Sequence, residues 1–350
     1  MILIENGRIW NGEHFQNADI LSEKGIITAI GSNLVAEKSY VYDAAGKLVV
    51  PGLVDCHMHF AGISRPDYAI TPEVCFAFGV TAAADAGSSL GSFEELERMA
   101  VKNVIFAESV IREDQLDETA TCRNVARYGS KCVGIKLFYD VTSPKIRTIQ
   151  PLRQACALAR KLGLKVMVHC NHSPTSMLHI VETLAPGDVL SHVFHGGDHH
   201  CLEENYAAFC LAREKGVVMD AAFAGHVHTD FSVLRKAFAD GWYPDTISTD
   251  LTKTSAYKRG GRYGLAMAMS MARTAGMAEE DILRAVTTAP AKALGQSWGR
   301  LQVGGVADIA VLDYTDEPFS LTDKAGNTLE SPMGYRCKLT VADGIVVYRD

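Results

Sequence analysis

Two histidines one residue apart, His57 and His59, end an apolar run that enters through Pro51-Gly52-Leu53-Val54-Asp55. In an extended segment residues i and i+2 point the same way, so both imidazoles can face one ion. Asp55 could orient an imidazole from behind or cap the strand end. Lys136 stands inside the apolar run CVGIKLFY. A lysine there is costly unless it is paired or neutral. It either reaches out to the solvent at the strand end, or its free amine adds carbon dioxide. The resulting carbamate has two oxygens that could bridge two cations about 3.5 to 4 Å apart. His169 closes VMVHC, His192 sits in VLSHVFHG, and Asp250 ends ISTDL. A carboxylate at that place could bind a metal and accept a proton from water, or cap the next helix. The chain has 12 histidines, nine of them between His169 and His228. Such clustering points to metal or proton chemistry rather than packing.

These residues need a scaffold that brings strand ends together. Apolar strand-like runs alternate with helical periods from residue 51 to residue 297. The strands expected are GLVDCHM, VTAAADAG, VIFAESV, CVGIKLFY, LKVMVHC, DVLSHVFH, VVMDAAFA and DTISTDL. Helical stretches such as SFEELERMAVK, IQPLRQACALARKLG and SVLRKAFADG fall between them. Continuous apolar strands alternating with amphipathic helices imply a parallel sheet covered on both faces. Eight units predict a (β/α)8 barrel, whose function sits where the carboxyl ends of the strands meet the loops. No GxGxxG or GxxxxGK[ST] loop follows a strand, which argues against an open nucleotide-binding sheet. Residues 1–50 and 298–350 read instead as short strands separated by turns, with Asn6-Gly7, Asn11-Gly12, Lys24-Gly25 and Asp343-Gly344 as hairpin breaks. The two chain ends are expected to pair into a small β-domain.

Bulk properties narrow the partners. A net charge of -7 supplies no basic face for nucleic acid. No apolar stretch is long enough to span a bilayer, and the start MILIENGRIWNG has no secretory pattern. The 9 cysteines include no CxxC pair, so a reduced, cytoplasmic protein without disulfides is expected.

The set resembles the amidohydrolase superfamily. The resemblance rests on Asp55-x-His57-x-His59, Lys136, His169, His192 and Asp250, and runs almost end to end. It includes Val49-Val50-Pro51-Gly52, Asp85-Ala86-Gly87, the run Thr288 to Gly295, Gly299-Arg300-Leu301, and Gly304-Gly305-Val306-Ala307-Asp308. Within it the chain is most similar to the dihydroorotase-like branch with its deacetylase and amidohydrolase members. The resemblance implies a distorted barrel with a β-sandwich built from both chain ends. It further implies two divalent ions: His57, His59 and Asp250 on the more buried one, His169 and His192 on the other, carboxylated Lys136 between them. There are departures. Phe138 stands where an arginine is usual, and the stretch Asp220 to His228 replaces an Asp-x-Gly-His-Gly pattern. Both bear on the substrate rather than on the metals.

The reaction so implied is hydrolysis of an amide, cyclic amide or ester of a small molecule, with Asp250 as general base and acid. Imidazole, carboxylate and carbamate donors suit zinc, with manganese and iron as alternatives. Lys258, Arg259 and Arg262 lie just beyond the eighth strand and could hold a substrate carboxylate, or form a solvated loop. His195 and His226 could line the pocket. Tyr139, beside the end of the fourth strand, could donate to an oxyanion or pack in the core. Deamination of a heterocycle, usually with one metal, is the competing enzymatic reading. A non-catalytic assembly role is a third, and the filled ligand positions speak against it. Pairing of barrels into a homo-oligomer is expected.

Overall fold

Parallel strands buried on both faces must find cover, and in this computed structural model helices provide it. Residues 1–62, 68–224, 227–257 and 263–350 are described. Seven parallel strands form one sheet in sequence order: Leu53–Met58, Val80–Ser88, Lys102–Glu108, Cys132–Phe138, Lys165–His169, Val189–Ser191 and Val218–Asp220. Outward-facing residues such as Ala83, Ile105, Ile135, Val166 and Leu190 join the large core beneath the helices. Inward-facing Val54, Cys56, Ala82, Ala84, Ala86, Phe106, Met167 and Val189 make a separate packed interior. Alternation along each strand therefore separates two cores, as a barrel requires.

The eighth segment closes the ring but is not a regular strand. Bridges join Asp220 to Thr246 and Met58 to Leu251. Backbone amides of Ala221, Phe223 and Ala224 donate to the carbonyls of Thr246, Ser248 and Thr249. On the other side, Asp250 N donates to His57 O at 2.7 Å and His59 N to Leu251 O at 3.0 Å. The expected strand is interrupted because its hydroxyls bond locally to acids: Thr246 and Ser248 to Asp220, and Thr249 to Asp55. Asp55, fully buried, also accepts from Thr249 N and His57 N. It ties the first and last segments together and does not orient an imidazole.

Space inside the barrel is set by small residues. A Cβ on Gly134 would lie 2.4 Å from the Phe106 ring and 2.8 Å from Lys165 O. Gly134→Ala is expected to destabilise the protein by about 1 to 3 kcal/mol through overpacking. A thermal melt checks this; an unchanged midpoint would show that Phe106 can move aside.

Both chain ends contribute to one eight-stranded sheet. Its path runs Ile345–Arg349, Gly334–Ala342, Ile309–Thr315, Leu48–Pro51, Ile2–Trp10, Phe15–Glu23, Ile26–Gly31, with Tyr40–Asp43 also paired to Ile2–Trp10. Ile4, Ile9, Ile20, Val49, Ile309, Val311 and Leu339 pack together, so the sheet covers its own apolar face. Lys24-Gly25 and Asp343-Gly344 are tight turns with positive φ at both residues, as expected of such hairpins. Asn6-Gly7 is not a turn. The strand continues through it with a shift of register, a bulge that bends the ribbon. Lys102 pairs with Asp308 and Asp343, fixing this sheet to the third barrel strand.

Candidate metal centre

His57, His59, Lys136, His169, His192 and Asp250 converge at the carboxyl end of the barrel. Two groups form, each with ligand atoms within 4.8 Å of one another: His57, His59 and Asp250, and His169, His192 and His228. The groups adjoin. His57 and His192 have ring centroids 5.1 Å apart, and His228 Nε2 lies 3.7 Å from Asp250 Oδ2. Lys136 Nζ reaches in to 3.1 Å from His57 Nε2. Asp250 Oδ1 lies 2.9 Å from His59 Nε2 and 3.5 Å from His57 Nε2.

Each side chain is aimed by its strand and by a partner behind it. His57 Nδ1 is 3.1 Å from Ser191 Oγ and 3.5 Å from Asp220 Oδ2, so Nε2 faces the centre. His192 Nδ1 lies 2.7 Å from Ala222 O. It must carry the proton, which leaves a lone pair on Nε2. His192 and Asp250 both have positive φ, 67° and 51°. This unfavourable backbone turns their side chains inward from segments that would otherwise continue straight. Asp85 accepts from the amides of Phe60 and Ala61 at 2.6 and 2.7 Å, fixing the chain just beyond His59. Gly87, with φ +122°, passes the stem of Lys136; a Cβ there would sit 3.1 Å from Lys136 Cγ. Thus the Asp85-Ala86-Gly87 motif serves the centre from two directions.

The electrostatics suit cations. Burial depresses His57 to about 4, aided by Lys136 and opposed by Asp220 and Asp250. Burial also lowers His169 and His192, and takes His228 to about 3. All four are therefore neutral and able to donate at pH 7. Burial brings Lys136 down to about 8, against the pull of Asp250 and Asp220, so a useful fraction is free amine. Burial would raise Asp250, but the hydrogen bond from His59 and the neighbouring imidazoles outweigh it and hold it well below the usual carboxylate range.

A fit to metal can be tested on unsatisfied atoms. His169 Nε2, His192 Nε2 and His228 Nδ1 are buried without a hydrogen-bond partner, as is His59 Nδ1. Asp140 Oδ2 approaches His169 Nε2 at 3.3 Å without completing a bond. Buried polar atoms are seldom left unpaired, and imidazole nitrogens without a donor suit a cation. The donor set fits divalent ions.

The same burial makes the metal-free protein acid-sensitive. Depressed imidazoles are protonated first in the unfolded chain. Stability is therefore complete above their ordinary value of 6.5 and falls as pH drops towards about 4 for His57. His228 and His195 act likewise, each down to about 3. Asp55, raised to about 7 by burial despite its Thr249 bonds, works the other way, one group against several. The melting midpoint of chelated protein should fall between pH 6.5 and about 4.5. A flat profile would mean that these rings are already charged when folded.

His228 was not among the expected ligands, although the histidine cluster and a second His-x-His, His226-Val227-His228, both marked it. His195 is buried with Nδ1 accepting from Gly197 N and Nε2 unpartnered. Tyr139 does not serve the centre: its hydroxyl bonds to Thr148 O and Thr175 Oγ1, and its ring is core. Extended geometry explains the miss, since three positions after Lys136 is the opposite strand face. His226, Lys258, Arg259 and Arg262 lie outside the described residues.

The amidohydrolase family model matches residues 48–346. Deacetylase Atu3266 of Agrobacterium fabrum is 30% identical over 344 residues, covering 90% of this chain and 83% of that protein. The crystal structure of a dihydroorotase superposes with a TM-score of 0.86 at 26% identity, covering 100% of this chain and 98% of that one. That of an adenine deaminase gives 0.85 at 23%, covering 100% and 99%, a likeness of fold. Match, fold and convergent side chains agree: the chain belongs to the amidohydrolase family and is a hydrolase of carbon–nitrogen bonds.

Proposed function

We propose that this protein is a binuclear metal-dependent amidohydrolase that removes an acyl group, acetyl first among them, from a small amine or opens a cyclic amide. One observation carries the reading. Two three-residue donor groups adjoin at the barrel mouth beside a buried lysine, with several imidazole nitrogens left unpaired. A curated relative named a deacetylase favours acyl removal, and the dihydroorotase neighbour keeps the cyclic amide in view.

His57, His59 and Asp250 would hold one ion; His169, His192 and His228 the other. Lys136, as free amine, would add carbon dioxide with loss of a proton, and the resulting carbamate would offer oxygen donors to both groups. When bound, the ions supply Lewis acidity to a carbonyl and lower the pKa of water. The chain's own residues do the rest. Asp250, anionic by its surroundings, takes the proton of the attacking water and returns it to the departing nitrogen. Ser191, Asp220 and the Ala222 carbonyl fix which imidazole nitrogens stay free to donate. Zinc is our preferred ion. The nine unpaired cysteines, most of them buried, fit a reducing compartment such as the cytoplasm.

The test loads purified protein with zinc and counts metal per chain. N-acetyl amino acids, cyclic ureides, acyl esters and adenine are then offered. Two equivalents and turnover of an acyl or cyclic amide are expected. One equivalent with ammonia released from adenine would replace this reading by deamination.

A further inference from the structure

Phe138 ends the fourth barrel strand two residues after Lys136, so the two share a face of the strand. That face is the barrel interior, since Gly134 on it abuts Phe106 while Ile135 and Leu137 join the outer core. Phe138 is also the register partner of His169 on the next strand, and their rings lie 4.5 Å apart. Yet Phe138 is 48% exposed, although Lys136 and Leu137 before it are buried. An aromatic ring on the inner face of a strand end, against one donor group and open to solvent, offers an apolar wall to a ligand bound there.

The same end of the barrel carries more of this character. Leu90 follows the second strand, Val141 the fourth, and Tyr257 lies in Lys253–Tyr257 after the eighth segment; each is at least half exposed. Large apolar side chains left in water on the face bearing the chemistry gain most by receiving a ligand.

We infer that Phe138 selects a substrate with a flat apolar or aromatic group next to the scissile bond, placed on the His169 side of the cleft. This rests on the hydrolase reading above and adds the substrate class. Ring-on-ring packing favours such a group through buried area and offset stacking, and anionic groups on that side of the bond gain nothing from the wall.

Two metal-directed probes differing only in this group make the test: acetohydroxamate and benzohydroxamate, titrated calorimetrically into zinc-loaded protein. Benzohydroxamate should bind at least about tenfold tighter. In Phe138→Ala that advantage should vanish while acetohydroxamate affinity stays within about twofold. Phe138→Leu should retain part of the advantage. Metal content and melting midpoint confirm that both variants are folded and loaded. Equal affinities in the wild type, or an advantage that survives Phe138→Ala, would overturn the inference. Turnover of the amide panel is judged separately. Its failure with the affinity ratio intact would sink the hydrolase reading and leave the apolar wall standing.

Discussion

Asp250→Asn should lower kcat about a thousandfold while leaving the metal content unchanged. The amide keeps the size and the oxygen of the carboxylate but cannot take a proton. Its position is secured by contacts that do not need charge: the Asp250 amide donates to His57 O, and φ is 51°. Turnover of the best amide substrate, read beside metal content, checks the result. If metals are retained and the rate falls only a few-fold, Asp250 is a ligand and another group moves the proton.

Lys136→Met should cost about as much, by a different route: one equivalent of metal should be lost together with turnover. Methionine fills the volume beside Gly87 but offers no amine to form the proposed carbamate. Burial lowers the wild-type amine to about 8, so more of it is free base at neutral pH than of an exposed lysine. Short carboxylic acids, small enough to enter the vacated space, should restore part of the activity. A variant that keeps two equivalents and near-normal turnover would show that the lysine only fills space.

Most of the candidate centre was legible because its residues end apolar strands, where a polar side chain stands out. His57, His59, Lys136 and His169 each stand where a hydrophobic side chain would be cheaper. His192 and Asp250 were legible as residues, but not their left-handed backbone, which depends on how neighbouring segments pack. As a ligand His228 was hidden because it lies well beyond the short seventh strand, Val218–Asp220, where no periodicity marks its direction. The irregular eighth segment was hidden for another reason. Thr246, Ser248 and Thr249 read as β-formers, and only the buried acids Asp55 and Asp220 divert them. Asn6-Gly7 looks like a turn in isolation, and the long pairing of Ile2–Trp10 with Phe15–Glu23 makes it a bulge.

The sheet joining the two ends of the chain bears on biogenesis. Val50 pairs with Ala310 across the whole intervening barrel. During synthesis, then, Leu48–Pro51 emerges with one edge unsatisfied and must stay so until Ile309–Thr315 has followed the barrel. Nascent chains would be most prone to aggregation in that interval, and chaperone demand should track ribosome pausing before Ile309–Thr315 is made.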